Sequence, residues 1–376
     1  MREINKIKKI VIKIGSSTLL DAKLKLNEAK IKEIAKVIST LKEKYEVILV
    51  TSGAVAVGAS KLELKERPKT INLKQTCAAV GQSGLIQIYE ESFKAHNLKC
   101  AQLLLTHDDL EIRSRVTNLK NTLDNLLNFN VVPIINENDA LAVEEIKMGD
   151  NDKLSALVAA TISADLLVLV TDIDGLYDKN PSVHKDAKLI SCVDCISDEI
   201  YQMAGGSSSK VGSGGMYTKI HAAKMAQDAG CSTLILNGNN LDNIIKALNK
   251  ENIGTWFNGH ENNRLQAKAH WLIYNSEPKG AIILDDGAIN AVCKKRKSVL
   301  AKGIIDVVGS FLAGSVVEIK DKNSKVCARG VISYSSEETR LLKGKDSNEF
   351  ANILGYKSKE EIIHANDLVI NKGEDK

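Results

Sequence analysis

Gly205-Gly-Ser-Ser-Ser-Lys-Val-Gly-Ser-Gly-Gly-Met-Tyr-Thr-Lys219 runs without a break into Ile220-His-Ala-Ala-Lys-Met-Ala-Gln227. Residues with little or no side chain let a backbone curl until its amides converge. The alanine-rich run behind them reads as a helix with partial positive charge at its N-terminal end. An anion suits such a place. Lys219 stands in the first turn of that helix, where a cation opposes the dipole, and a phosphate between the two accounts for its presence. A Gly/Ser linker before an ordinary helix explains the same letters, and the stretch by itself leaves both readings open.

The segments before it repeat one pattern. Lys8-Lys-Ile-Val-Ile-Lys-Ile14 is short, β-branched and bounded by Gly15-Ser16-Ser17, which predicts a buried first strand ending in a turn that suits phosphate. Lys13 interrupts it, either as an edge-facing charge or as a functional cation. Ile31, Ile34, Ala35, Ile38 and Leu41 recur at helical spacing, and Val47-Ile-Leu-Val50 then reaches a second small-residue turn, Thr51-Ser52-Gly53-Ala54. After Pro68 the sequence predicts a helix over 73–93, a strand over 101–105, a helix over 116–127 and a strand over 131–135.

Two clusters of Asp and Asn come next, Asn136-Glu-Asn-Asp139 and Gly149-Asp-Asn-Asp152-Lys153. Such residues are common in turns and at helix N-termini, so capping of a helix over 154–162 by Asp150 or Asn151 is one explanation of the second cluster. A strand over 165–170 opens into the turn-rich Thr171-Asp-Ile-Asp-Gly-Leu-Tyr177, and a strand over 231–236 and a helix near 240–248 follow the glycine-rich stretch. Strands and helices in alternation predict a mostly parallel α/β sheet with helices on both faces. Ligands bind beyond the C-terminal ends of such strands, where each of these polar turns falls.

A chain of 376 residues exceeds one ordinary core, so two domains are expected. With 44% hydrophobic and 26% charged residues it has the make-up of a soluble globular protein. A net charge of +4 is mildly basic, well short of a dedicated nucleic-acid binder, and nucleic acid is not expected as a partner. No apolar run approaches the roughly 20 residues of a membrane span, and Met1-Arg-Glu-Ile-Asn-Lys6 lacks the apolar core of a signal peptide. A cytoplasmic protein without a membrane partner is the expectation. Seven scattered cysteines fit reduced thiols better than a disulfide framework. Cys192-Val-Asp-Cys195 is the one close pair, and no second pair completes a zinc site.

His107-Asp108-Asp109 lacks a second histidine at ligand spacing and reads as a loop. Ser52 and His221 have no Gly-x-Ser-x-Gly elbow to make a hydrolase of them. There is no Gly-x-x-x-x-Gly-Lys-[Ser/Thr], no His-Arg-Asp, no Asp-Phe-Gly and no Gly-x-Gly-x-x-Gly, which disfavours P-loop, protein-kinase and dinucleotide-binding enzymes. Beyond the polar stretch 258–263, short strands over 280–284, 304–308, 315–319 and 328–334 alternate with Gly, Asp and Asn turns and predict a small β-rich domain. Its basic cluster, Lys294-Lys-Arg-Lys297, is either a solvated turn or a polyanion contact.

Six segments carry a resemblance: Val11-Ile-Lys13-Ile-Gly15-Ser-Ser17, Val50-Thr-Ser52-Gly53-Ala-Val55, Ile135-Asn136-Glu-Asn-Asp139, Gly149-Asp-Asn151-Asp152, Val170-Thr171-Asp172-Ile-Asp-Gly-Leu-Tyr177 and Gly212-Ser213-Gly214-Gly215-Met216-Tyr217-Thr218-Lys219. In this order they resemble the amino acid kinase superfamily over about residues 8 to 258, and the remainder looks like the PUA domain that many of its members append. The resemblance implies a kinase domain over 1–258, a linker over 259–270, a PUA-like domain over 271–356 and a tail over 357–376. The PUA-like part separates this branch from aspartate, acetylglutamate, carbamate and uridylate kinases.

The implied reaction is ATP-dependent phosphorylation of the side-chain carboxylate of L-glutamate to L-glutamyl 5-phosphate, the first step of proline biosynthesis. Matched to the superfamily, Lys13 contacts the phosphates beside the transferring group, Lys219 stabilises the transition state and Asp152 orients both. Gly15 and the loop Ser213, Gly214, Gly215, Met216, Tyr217 and Thr218 cradle the phosphates, while Thr171 and Asp172 take nucleotide-binding positions. Ser52, Gly53, Asn136, Asp139 and Asn151 hold the amino acid, with Asp139 on the ammonium. Mg²⁺ is expected on the ATP phosphates with no dedicated protein cage, proline as a feedback inhibitor at or beside the glutamate pocket, and a homo-oligomer, dimer or tetramer. Tyr217 departs from the superfamily, which more often has Ser there. Two alternatives stand beside this reading: another carboxylate kinase of the same fold, and an RNA-binding protein acting through the PUA-like domain.

Overall fold

The strand Lys9–Ile14, β1, is buried along five of its six residues and runs through the middle of an eight-stranded sheet. The computed structural model describes residues 2, 4–21, 25–141, 150–205, 215–259, 278–356 and 359–370. Ser213, Gly214 and Gly149 lie outside the described residues, as does most of the stretch read as a linker.

The chain continues through α1 (Ser16–Leu19), α2 (Glu28–Leu41), β2 (Glu46–Val50), α3 (Ala54–Lys61), α4 (Ile71–Lys94), β3 (Lys99–Leu105), α5 (His107–Glu111), α6 (Arg113–Asn128) and β4 (Val131–Glu137). Next come α7 (Asp150–Thr161), β5 (Leu166–Thr171), β6 (Cys192–Val193), α8 (Asp198–Met203), α9 (Met216–Asp228), β7 (Ser232–Asn237), α10 (Asp242–Leu248) and β8 (Thr255–Phe257). The sheet order is β3-β4-β2-β1-β5-β7-β8-β6, and all neighbours are parallel except β7 and β8. All six residues of β5 are buried, as expected of a parallel strand covered on both faces. From β1 the chain crosses to β2 and β4 on one side and later returns to β5 and β7 on the other, so a crevice opens at the C-terminal ends of β1 and β5.

Helix α2 turns inward the five residues whose spacing predicted it, and its N-cap Asn27 accepts from the Lys30 amide. Helices α3 and α4 touch backbone to backbone. A Cβ at Gly58 would stand 1.7 Å from the Cys77 carbonyl oxygen, and one at Gly81 would stand 1.9 Å from that of Ala54. The stretch from His107 is a short helix, not the expected loop, because Asp109 accepts from both the amide and the hydroxyl of Thr106 at 2.8 Å and so caps the turn.

The chain divides into two compact units, Met1–Leu110 with Thr117–Arg264 and Leu265–Lys376 with Glu111–Val116. The second has its own core, including Ile282, Val317, Ile319, Tyr334 and Phe350, and its own sheet. Its elements are β9 (Gly280–Leu284), α11 (Asp286–Cys293), β10 (Ile304–Gly309), β11 (Val316–Lys320), β12 (Val326–Val331), α12 (Ser336–Leu342), α13 (Phe350–Leu354) and β13 (Leu368–Ile370), in sheet order β10-β9-β11-β12-β13. The reading of 357–376 as a tail is corrected here: Leu368–Ile370 pairs with β12 and completes this sheet, and Ile362 and Ile363 are buried in its core.

Candidate active site

Lys13 is the fifth residue of β1, and only 6% of it is exposed. Its amine lies 2.5 Å from Oδ1 of Asp152, a carboxylate that is 1% exposed in the first turn of α7, where the helix dipole favours a negative charge. Oδ2 of the same carboxylate is 3.3 Å from the amine of Lys219, in the first turn of α9, and accepts from the Thr218 hydroxyl at 2.8 Å. One buried carboxylate therefore holds two ammonium groups from opposite ends of the first unit.

Burial would raise the Asp152 pKa, but attraction to Lys13 and then Lys219, with the hydrogen bonds from Lys13 and Thr218, holds it below the usual carboxylate range. Burial pushes Lys219 down from the ordinary lysine value; Asp152 and Asp172 oppose this and Lys13 adds to it.

The surrounding turns close on this cluster. A Cβ at Gly15 would stand 3.2 Å from the Lys13 amine and 3.9 Å from the Val170 carbonyl oxygen, so glycine leaves the amine's approach open. The Thr171 hydroxyl donates to Asp172 at 3.0 Å, and the Thr171 carbonyl accepts from the Gly238 amide at 2.7 Å. Helix α9 starts after Gly215 with no side-chain cap bond, an N-terminus that suits an anion. Tyr217 turns the other way: it is 39% exposed and its ring meets that of Tyr201 on α8 at 5.5 Å between centroids.

A second pole lies on the other side of Asp152. Asn151, the preceding residue, donates from Nδ2 to the Ser52 hydroxyl at 2.9 Å and to Asn136 Oδ1 at 3.3 Å. Gly53, at φ 108°, makes the left-handed turn into α3, a conformation that favours glycine. Ser52, Gly53, Asp139 and Asn151 line one cleft of about 320 Å³ with Ser16. Asn151 Oδ1, and Nδ2 of the neighbouring Asn136, are buried with no hydrogen-bond partner among the described residues, one an acceptor and the other a donor. That pair suits a ligand carrying both carboxylate and ammonium.

Several supporting residues escaped the sequence reading. Asn237 and Gly238 brace the turn at Thr171 and Asp172: the Asn237 amide donates to Asp174 at 2.9 Å and to the Asp172 carbonyl at 3.3 Å. Lys30 donates to the carbonyls of Gly238 and Asn239, both at 3.1 Å. The run Asn237-Gly-Asn-Asn240 at the end of a strand was the available signal.

A strand-end crevice with two lysines sharing a carboxylate defines a phosphotransferase of the amino acid kinase class, and the pattern of the amino acid kinase family matches residues 8–237. The PUA domain matches residues 280–354. The glutamate 5-kinase of Thermoanaerobacter sp. (strain X514) is 45% identical over 364 residues, covering 96% of this chain and 97% of that one. Those of Carboxydothermus hydrogenoformans and Geobacter sulfurreducens are 44% and 45% identical, covering 98% of this chain and 100% and 98% of theirs. The chain belongs to the glutamate 5-kinase family.

Proposed function

We propose that Lys13, Lys219 and Asp152 carry the transfer of the γ-phosphoryl group of ATP to the side-chain carboxylate of L-glutamate, giving ADP and L-glutamyl 5-phosphate, the first step of proline biosynthesis. The convergence of two buried ammonium groups on one carboxylate is the observation that carries this reading. A glutamate carboxylate, with an ordinary pKa of about 4.3, is ionised at neutral pH and attacks without a general base. Asp152 suits an orienting role, because a carboxylate held below its usual pKa is a poor proton acceptor. The work left to the protein is to bring two anions together and to spread the charge of the transferred group, which the lysines do by position and electrostatics.

Ser52, Gly53, Asn136, Asp139 and Asn151 would hold glutamate: Asn136 Nδ2 is a donor for a carboxylate, Asn151 Oδ1 an acceptor for the ammonium, and Asp139 its counter-charge. Gly15, Thr171, Asp172 and the start of α9 would hold ATP. Asp152 is already shared by two amines and a hydroxyl, so it fits no metal, and Mg²⁺ would ride on the ATP phosphate oxygens. Bound there, it would supply neutralisation of phosphate charge.

ATP as substrate and seven cysteines present as thiols support a cytoplasmic setting; no helix among the described residues is long and apolar enough to cross a membrane. Half-buried Cys100, Ala101, Leu103 and Leu104 on the edge strand β3 support assembly into a dimer or tetramer. A solution mass near the 40.9 kDa of one chain would contradict that. Proline as an inhibitor would compete at or beside the glutamate cleft.

Trapping the acyl phosphate with hydroxylamine, for glutamate, aspartate and acetylglutamate in parallel, tests the reaction. Hydroxamate from glutamate alone is expected, and activity on aspartate without glutamate would overturn the substrate. Neither alternative, another carboxylate kinase or an RNA-binding protein, is favoured by relatives that match nearly the whole chain.

A further inference from the structure

We propose that Gln82 is a positioning residue for the amino-acid cleft, acting through the main chain of the Asn136–Asp139 turn. The inference rests on the reading of that cleft as the glutamate site.

Gln82 lies within α4 and is 8% exposed. Its Nε2 donates to the Glu137 carbonyl at 3.3 Å, and its Oε1 accepts from Gln102 Nε2, on the edge strand β3, at 3.2 Å. The rest of the turn is fixed in the same way: the Glu137 amide donates to Asn136 Oδ1 at 2.9 Å, and the Asn138 amide to the Leu105 carbonyl at 2.8 Å. These bonds hold Oδ1 of Asn136, which also accepts from Nδ2 of Asn151, and the turn ends at Asp139; Asn151 and Asp139 both line the cleft.

The residue before Gln82 supports the other turn of the same cleft. Gly81 packs on the Ala54 carbonyl so closely that a Cβ would stand 1.9 Å from it, and Ala54 directly follows Ser52-Gly53. Two consecutive residues of one helix thus set both walls of the cleft, Gly81 by contact and Gln82 by a hydrogen bond. A buried amide costs stability unless its polar atoms are paired, and an apolar side chain would fill the space without that cost. The paired atoms of Gln82 therefore serve direction: they fix where the Glu137 carbonyl, and with it Asn136, can sit. Removing the donor takes away the bond by which α4 aims that carbonyl, and the turn loses this support.

Steady-state kinetics on the full-length protein, wild type beside Gln82→Leu and Gln102→Leu, test this. Gln82→Leu is expected to raise the glutamate KM about tenfold, with kcat and the ATP KM within about twofold of wild type. Gln102→Leu, on the exposed edge, removes only the brace on Oε1 and is expected to raise the glutamate KM about two- to threefold. The double variant should be no worse than Gln82→Leu, because the two amides act in series. Equal rises in both KM values, or lower thermal stability with unchanged kinetic constants, would assign Gln82 to packing alone and overturn the proposal. Where Gln82→Leu does not fold, an unchanged glutamate KM in Gln102→Leu does the same. Wild-type turnover of glutamate in the same series checks the functional reading separately.

Discussion

Asp152 compensates two ammonium groups at once, so its removal should cost more than an ordinary ion pair. Asp152→Asn leaves Lys13 and Lys219 buried beside a neutral amide, and about 3–5 kcal/mol of stability should be lost in urea unfolding. A loss under about 1 kcal/mol would contradict the burial. The sign with pH follows from the lowered folded pKa of Asp152. Its contribution is fully present above the unfolded value of about 3.9 and disappears as pH falls through the lower folded value. The gap between wild type and Asp152→Asn should therefore be constant near neutrality and narrow only in acid. Lys219 works the other way: its depressed pKa means its ammonium is lost sooner on the alkaline side. The alkaline limb of kcat/KM, which reports the free enzyme, should fall below the ordinary lysine value of 10.5. A limb at or above that value would remove the electrostatic account of the cluster.

At the scale of the element, α4 touches both turns of the proposed amino-acid cleft, through Gly81 and Gln82. Gly81→Ala puts a methyl group into the Ala54 carbonyl, a contact only backbone movement can relieve. A stability loss of about 1–3 kcal/mol is expected, together with a raised glutamate KM, and calorimetry with kinetics checks both. Periodicity made α2, α4 and the apolar strands legible in the sequence, because burial imposes it directly. It could not give the meaning of Gly58 and Gly81, which in a helical pattern read only as weak helix formers. Their use is a contact with a partner helix. The three-residue β8 and the closing strand β13 were illegible for a related reason: short strands carry little pattern, and their pairing partners lie far off in the chain. Thr106 and Asp109, by contrast, were a capping signal that the metal question at His107 obscured.

At the scale of the whole molecule, the cluster of Lys13, Asp152 and Lys219 exists only because the sheet brings the C-terminal end of β1 beside that of β5 and seats α7 and α9 over them. Lys13, Asp152 and Lys219 were legible as separate motifs, and resemblance supplied their roles. That the two lysines share one carboxylate, with Asn151 reaching from the preceding residue to Ser52, is a property of the fold. The most direct test of that convergence is the turnover of Lys219→Ala, with glutamate affinity measured in the same protein. The account predicts a fall in kcat of about a hundred- to a thousand-fold with glutamate binding little changed. Near-normal turnover would mean that the second ammonium has no part in the transfer.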